Sequence, residues 1–73
     1  MLSSYSMPSD GSAPDRVAAI LMIHGAGMNP TWSDMGGNRT LVTLTHEDIR
    51  LDAVTQMIVR AHPKVRYVSS RAV

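Results

Sequence analysis

The chain has no cysteine and no phenylalanine. Without cysteine there is no disulfide and no thiolate metal site, a usage that suits a reducing cytoplasm. Without phenylalanine the aromatic residues are Tyr5, Trp32 and Tyr67, and the core has to be built from Ile, Leu, Val, Met and Ala. Long apolar runs are missing too. The longest, Val17 to Ile23, holds seven residues, whereas a bilayer crossing takes about 20. The opening Met1-Leu2-Ser3-Ser4-Tyr5-Ser6 has no basic cluster and no apolar stretch of the kind a secretory signal uses. These absences predict a cytoplasmic protein with no membrane contact.

Seventy-three residues make at most one domain, with a small core and marginal stability. Six methionines are many for that length. Their unbranched side chains fill irregular gaps in a small core, and they adapt equally well to partner surfaces.

Residues 1–11 read as a flexible tail. Ser3, Ser4, Ser6, Pro8, Ser9, Asp10 and Gly11 assemble no apolar face to offset the entropy of ordering them. The domain proper is expected over residues 12–70. Ser12 with Asp15 makes a variant capping box, and Pro14 fits a first turn because its missing N–H has no partner there anyway. Val17, Ile20, Leu21 and His24 follow at helical spacing, which predicts a helix over 13–24, with a buried strand over 18–23 as the rival. Gly25 supplies the helix end. Residues 25–39 are irregular, with a turn at Gly36-Gly37 and Trp32 packed inward to pin the loop. Thr40 to Leu44 is a β-branched strand with Val42 and Leu44 on one side and Leu41 and Thr43 on the other. Thr45 then caps a helix reaching His62, whose apolar stripe is Leu51, Val54, Met57, Ile58 and Ala61. Pro63 ends it. Lys64 to Val68 alternates as a half-buried strand. The fold class is α/β (α+β): two helices and a two- or three-stranded sheet. Strands 40–44 and 64–68 pair in parallel through a crossover helix, or antiparallel pairing proceeds through a further strand within 26–36.

Catalytic and metal chemistry find little support. Ile23-His24-Gly25-Ala26-Gly27 resembles the His-Gly stretch near the oxyanion hole of α/β-hydrolases, but no G-x-S-x-G elbow follows. Those glycines also lack the third glycine and the G-K-S/T of phosphate loops. His24, His46 and His62 match no compact zinc spacing, and no two lie one helical turn apart. Glu47 and Asp48 are adjacent acids in a helix first turn, where they favour the helix start. No catalytic residue, metal or cofactor is assigned.

Charge is the remaining signal. The last fourteen residues hold Arg60, Lys64, Arg66 and Arg71 and no acid, while the rest of the chain sums to −3, for a formal +1 overall. Such a pole favours an anionic partner. A helix beginning His-Glu-Asp repels phosphates, and stacking aromatics beyond Tyr67 are lacking, so an acidic protein surface suits the pole better than DNA or RNA. The candidate partner-binding residues are Arg60, Lys64, Arg66, Arg71 and, as an aromatic anchor, Trp32.

A serine-rich start, one small cysteine-free domain, the Trp32 and Gly36-Gly37 loop and the basic end together resemble a known group. In size and make-up the chain is similar to the small transcription regulators of lytic bacteriophages, of the Xanthomonas phage type, that bind host RNA polymerase. The resemblance implies a non-enzymatic protein in the host cytoplasm. It would contact the polymerase β and β′ subunits, inhibit initiation by displacing the sigma factor, and act on termination as an antiterminator. Two other classes share these features. One is a small nucleic-acid-binding module using the basic C-terminal face, and the other is an inhibitor of another host or defence protein.

Overall fold

The computed structural model describes residues 1–24 and 28–73. In chain order the elements are β1 (Leu2–Pro8), α1 (Ser12–His24), β2 (Thr31–Gly36), β3 (Arg39–Thr45), a 3₁₀ turn (Asp48–Arg50), α2 (Leu51–Ala61) and β4 (Arg66–Arg71). The strands form one sheet in the order β2-β3-β1-β4, and every neighbouring pair is antiparallel. This is the split βαβ arrangement of ferredoxin-like domains, with both crossover helices over one face. The topology hosts many functions and by itself assigns none.

The expected tail is in fact a central strand. β1 pairs with β3 on one side and β4 on the other. Tyr5 and Met7 on it are fully buried. Its serines do not disfavour the strand because their hydroxyls find partners on its neighbours. Ser4 Oγ meets Thr43 Oγ1 at 3.1 Å, Ser3 Oγ meets Ser70 Oγ at 2.7 Å, and just past the strand Ser9 Oγ meets Thr40 Oγ1 at 2.6 Å. Cross-strand hydroxyl pairs of this kind stabilise antiparallel sheets.

β1 also corrects the sheet. Four strands form, rather than two or three. β3 and β4 run parallel to one another but do not pair, because β1 lies between them. The further strand expected within 26–36 is β2, antiparallel to β3. Asn38 and Gly37 take φ of 62° and 59° in the connecting turn, a left-handed backbone that suits glycine and asparagine.

Both helices form where the periodicity placed them. α1 buries Ala13, Val17 and Leu21, and α2 buries Val54 and Ile58. Their starts differ from expectation. Just before α1, Asp10 Oδ1 accepts the Ser12 N–H at 3.1 Å and the Ser12 hydroxyl at 2.9 Å, while the Gly11 carbonyl accepts the Asp15 N–H at 3.1 Å. The bonds from Ser12 hold the Asp10 carboxyl below the ordinary carboxylate range. Thr45 ends β3 instead of capping α2. The ladder continues past it, the His46 N–H donating to the Met1 carbonyl at 3.0 Å, so the helical turn begins only at Asp48. β4 starts two residues later than the alternation suggested, leaving Lys64 and the buried Val65 in the turn before it. The expected helix end at Gly25 lies outside the described residues.

The helices and one sheet face enclose the core, with Val42, Leu44, Tyr5 and Met7 beneath Val17, Leu21, Val54 and Ile58. No helix is long and apolar enough to cross a membrane among the described residues. The Tyr5 hydroxyl lies 2.8 Å from Thr55 Oγ1 on α2. Burial pushes its phenol above the ordinary 10.0, and nearby Tyr67 adds to the rise while the Thr55 bond opposes it. A raised acid keeps its proton in the folded chain after the unfolded chain has lost it. Stability from this group is therefore complete below pH 10 and falls as pH rises above it. Tyr5→Phe should cost about 0.5–1.5 kcal/mol near neutrality, and the gap to wild type should shrink above pH 10, read by urea unfolding at each pH.

Candidate functional site

Strand register decides which side chains share a face. Ser3, Tyr5 and Met7 stand opposite Leu44, Val42 and Thr40 on the helix side. Their alternates, Ser4 and Ser6, stand opposite Thr43 and Leu41 on the side that no described element covers. On β3 the next residue of that set is Arg39. On β4 the residues opposite Ser6 and Leu2 are Arg66 and Arg71. Three arginines thus occupy one sheet face.

Arg66 and Arg71 lie five residues apart, and in a regular strand they would point to opposite faces. A β-bulge brings them together. Ser4 faces Ser69 and Tyr5 faces Tyr67, so one step on β1 spans two on β4 and Val68 is the unpaired residue. Bulges characteristically re-aim side chains in this way. The same insertion puts Tyr67 and Ser70 on the helix side. The Tyr67 ring packs edge-on against Tyr5 with centroids 5.6 Å apart, and the Tyr67 hydroxyl donates to Ser70 Oγ at 2.6 Å.

A chain of hydrogen bonds leading outward from the buried Ser3 and His46 holds the bulge. His46 Nδ1 lies 2.7 Å from the Glu47 carbonyl, and His46 Nε2 lies 2.6 Å from Ser3 Oγ. A carbonyl only accepts, so His46 Nδ1 donates to it, and Nε2 shares a hydrogen bond with Ser3 Oγ. Ser3 Oγ also bonds Ser70 Oγ, which accepts from the Tyr67 hydroxyl. No buried side-chain polar atom among the described residues is left without a partner. Ser3 and His46 have the residue types of a nucleophile and its base but not the access. Ser3 is fully buried, so no substrate reaches its hydroxyl.

Arg39 is anchored rather than free. Its Nε and one terminal nitrogen donate to Ser6 Oγ at 3.0 and 2.8 Å, and the latter nitrogen reaches the Lys64 carbonyl at 3.4 Å. Since Ser6 stands opposite Arg66, two arginines flank one serine. No carboxylate stands in register on this face among the described residues. Asp34 alternates to the helix side of β2, opposite Thr40, and the other acids lie in helices and turns. A concentration of one charge sign on a broad face raises the local potential for anions.

The residues expected to form one patch separate into three places. Arg66 and Arg71 share the open face. Lys64 is exposed in the turn beside it and offers its carbonyl to Arg39. Arg60 is exposed on α2, in a shallow groove with Arg50, Gln56 and His24 on the helix layer. Trp32 is not sealed inside. It sits on edge strand β2, 39% exposed, over a small apolar hollow lined by Ala18, Leu21, Met22 and Pro30. Arg39 was missed, although the alternation that pairs Leu41 with Thr43 reaches it when extended back one step. The histidines do not converge. His46 is in the hydrogen-bonded chain, His62 accepts the Lys64 N–H at 3.2 Å and meets Ser12 Oγ at 3.3 Å, and His24 is exposed. No cluster of three metal-type ligands occurs among the described residues.

Comparison with protein-family models, with characterised proteins and with solved structures finds no match for this chain. Ser3→Ala should leave His46 Nε2 buried without its partner and cost about 1–3 kcal/mol. Arg66→Ala and Arg71→Ala, on exposed positions, should stay within about 0.5 kcal/mol of wild type. Urea denaturation of the three variants checks this contrast.

Proposed function

We propose that this domain is a non-enzymatic binding protein that receives an acidic protein surface on the open face of its sheet. The observation that carries the reading is the set of Arg39, Arg66 and Arg71 on one face with no carboxylate in register beside them. Guanidinium groups form paired, charge-assisted hydrogen bonds with carboxylates, and Arg39 is already oriented by Ser6. The resemblance in size and make-up names the partner: the β and β′ subunits of a host RNA polymerase, with inhibition of initiation and antitermination as the consequences. The face is less suited to single-stranded nucleic acid. Such binding relies on aromatic platforms, and both tyrosines in the sheet turn to the helix side.

The test is retention of purified bacterial RNA polymerase by the immobilised domain. Wild type should retain it, the Arg66→Ala/Arg71→Ala variant should retain it at least about tenfold more weakly, and Arg60→Ala should behave as wild type. No retention by wild type removes the polymerase as partner. Equal retention by the double variant removes the face as the site. Strongly salt-dependent binding to an oligonucleotide with no protein partner favours the nucleic-acid module instead.

A further inference from the structure

Both edges of the sheet are unpaired. β2 and β4 each have a neighbour on one side only, so each offers a row of main-chain N–H and C=O groups to an added strand. Their charges differ. β2 carries Asp34 alone, whereas β4 begins with Arg66 and ends with Arg71. Two copies of β4 laid antiparallel would set Arg66 of one against Arg71 of the other at both ends, and like charges directly opposite are destabilising. A strand bearing carboxylates meets the reverse condition.

We infer that β4 takes an extended acidic peptide as a fifth strand, with two carboxylates four residues apart on the open face. This rests on the reading of that face as the binding surface and specifies what the partner presents there. The spacing comes from β1, where Ser6 and Leu2, four residues apart, stand opposite Arg66 and Arg71 across the bulge. A regular strand on the outer side of β4 spans the same interval, roughly 13 Å at 3.3 Å per residue. Its first and fifth side chains then point to the arginine face, and its second and fourth point to the helix side, beside the Tyr67 ring, which is 44% exposed. Main-chain pairing supplies affinity in such strand additions, and alternate side chains supply selectivity. The partner segment is therefore acidic at alternate-face positions and β-branched between them.

The test uses the full chain and two peptides of equal composition. In Thr-Glu-Val-Thr-Val-Glu-Thr both glutamates share one face of a strand. In Thr-Glu-Val-Thr-Glu-Val-Thr they point to opposite faces. The first should bind about tenfold more tightly, should slow hydrogen exchange of backbone amides within Arg66–Arg71, and should lose its advantage in Arg66→Ala/Arg71→Ala. Equal binding of the two peptides, or binding without protection of β4 amides, overturns strand addition while leaving the acidic-partner face intact. Tighter binding of a short oligothymidylate than of the first peptide overturns it in favour of a phosphate chain. Polymerase retained by wild type with neither peptide bound sinks this inference alone. The first peptide bound with polymerase not retained sinks only the polymerase assignment.

Discussion

Ser3 Oγ is the junction on which the sheet depends. It lies 2.6 Å from His46 Nε2 and 2.7 Å from Ser70 Oγ, joining the start of β1 to the end of β3 and to the far end of β4. Ser3 and His46 in that chain are buried, and a buried polar group without a partner is costly. The three strands are therefore held in one relative position. A register slip on β4 would break the Ser3–Ser70 bond.

That position has a consequence on the opposite face. With Tyr67 and Ser70 both held on the helix side, Val68 is the residue left over, and Arg71 emerges on the same side as Arg66. The internal polar chain thus determines the external charge pattern. Arg39 completes it from β3, its guanidinium drawn across to Ser6. Two of the acids instead accept nearby backbone N–H groups, Asp10 from Ser12 and Asp34 from Gly36. The open face thus gathers three arginines in a molecule whose net charge is only +1.

How much of this the sequence discloses depends on whether the determining interactions are local. The α2 stripe, the opposed faces of Leu41 and Val42, the Gly36-Gly37 turn and the helix of residues 13–24 were all legible, because each is fixed within a few residues. β1 was not. Its serines suit a strand only through partners as distant in sequence as Thr43 and Ser70, and read alone they have the composition of a tail. The basic end was visible as composition but not as a surface. Arg60 is near Arg66 in sequence yet lies on the helix layer, while Arg39, far away in the chain, sits beside Arg66. The bulge has no local signature in Arg66–Arg71, since it arises from where Tyr67 and Ser70 find partners.

The proposed function rests on the pattern rather than on any single residue: a sheet face with arginines, an unpaired edge beside it, and a sealed Ser–His pair that serves the fold. The most direct measurement is the cross-strand contact map of β1 by nuclear Overhauser effects in isotope-labelled protein. Contacts of Ser6 with Arg66, Ser4 with Ser69 and Leu2 with Arg71 are expected, with slow amide exchange along β1. Coil-like shifts and fast exchange over residues 2–8, or a Leu2–Ser70 contact in place of Leu2–Arg71, would contradict a central β1 and the arginine face that depends on it.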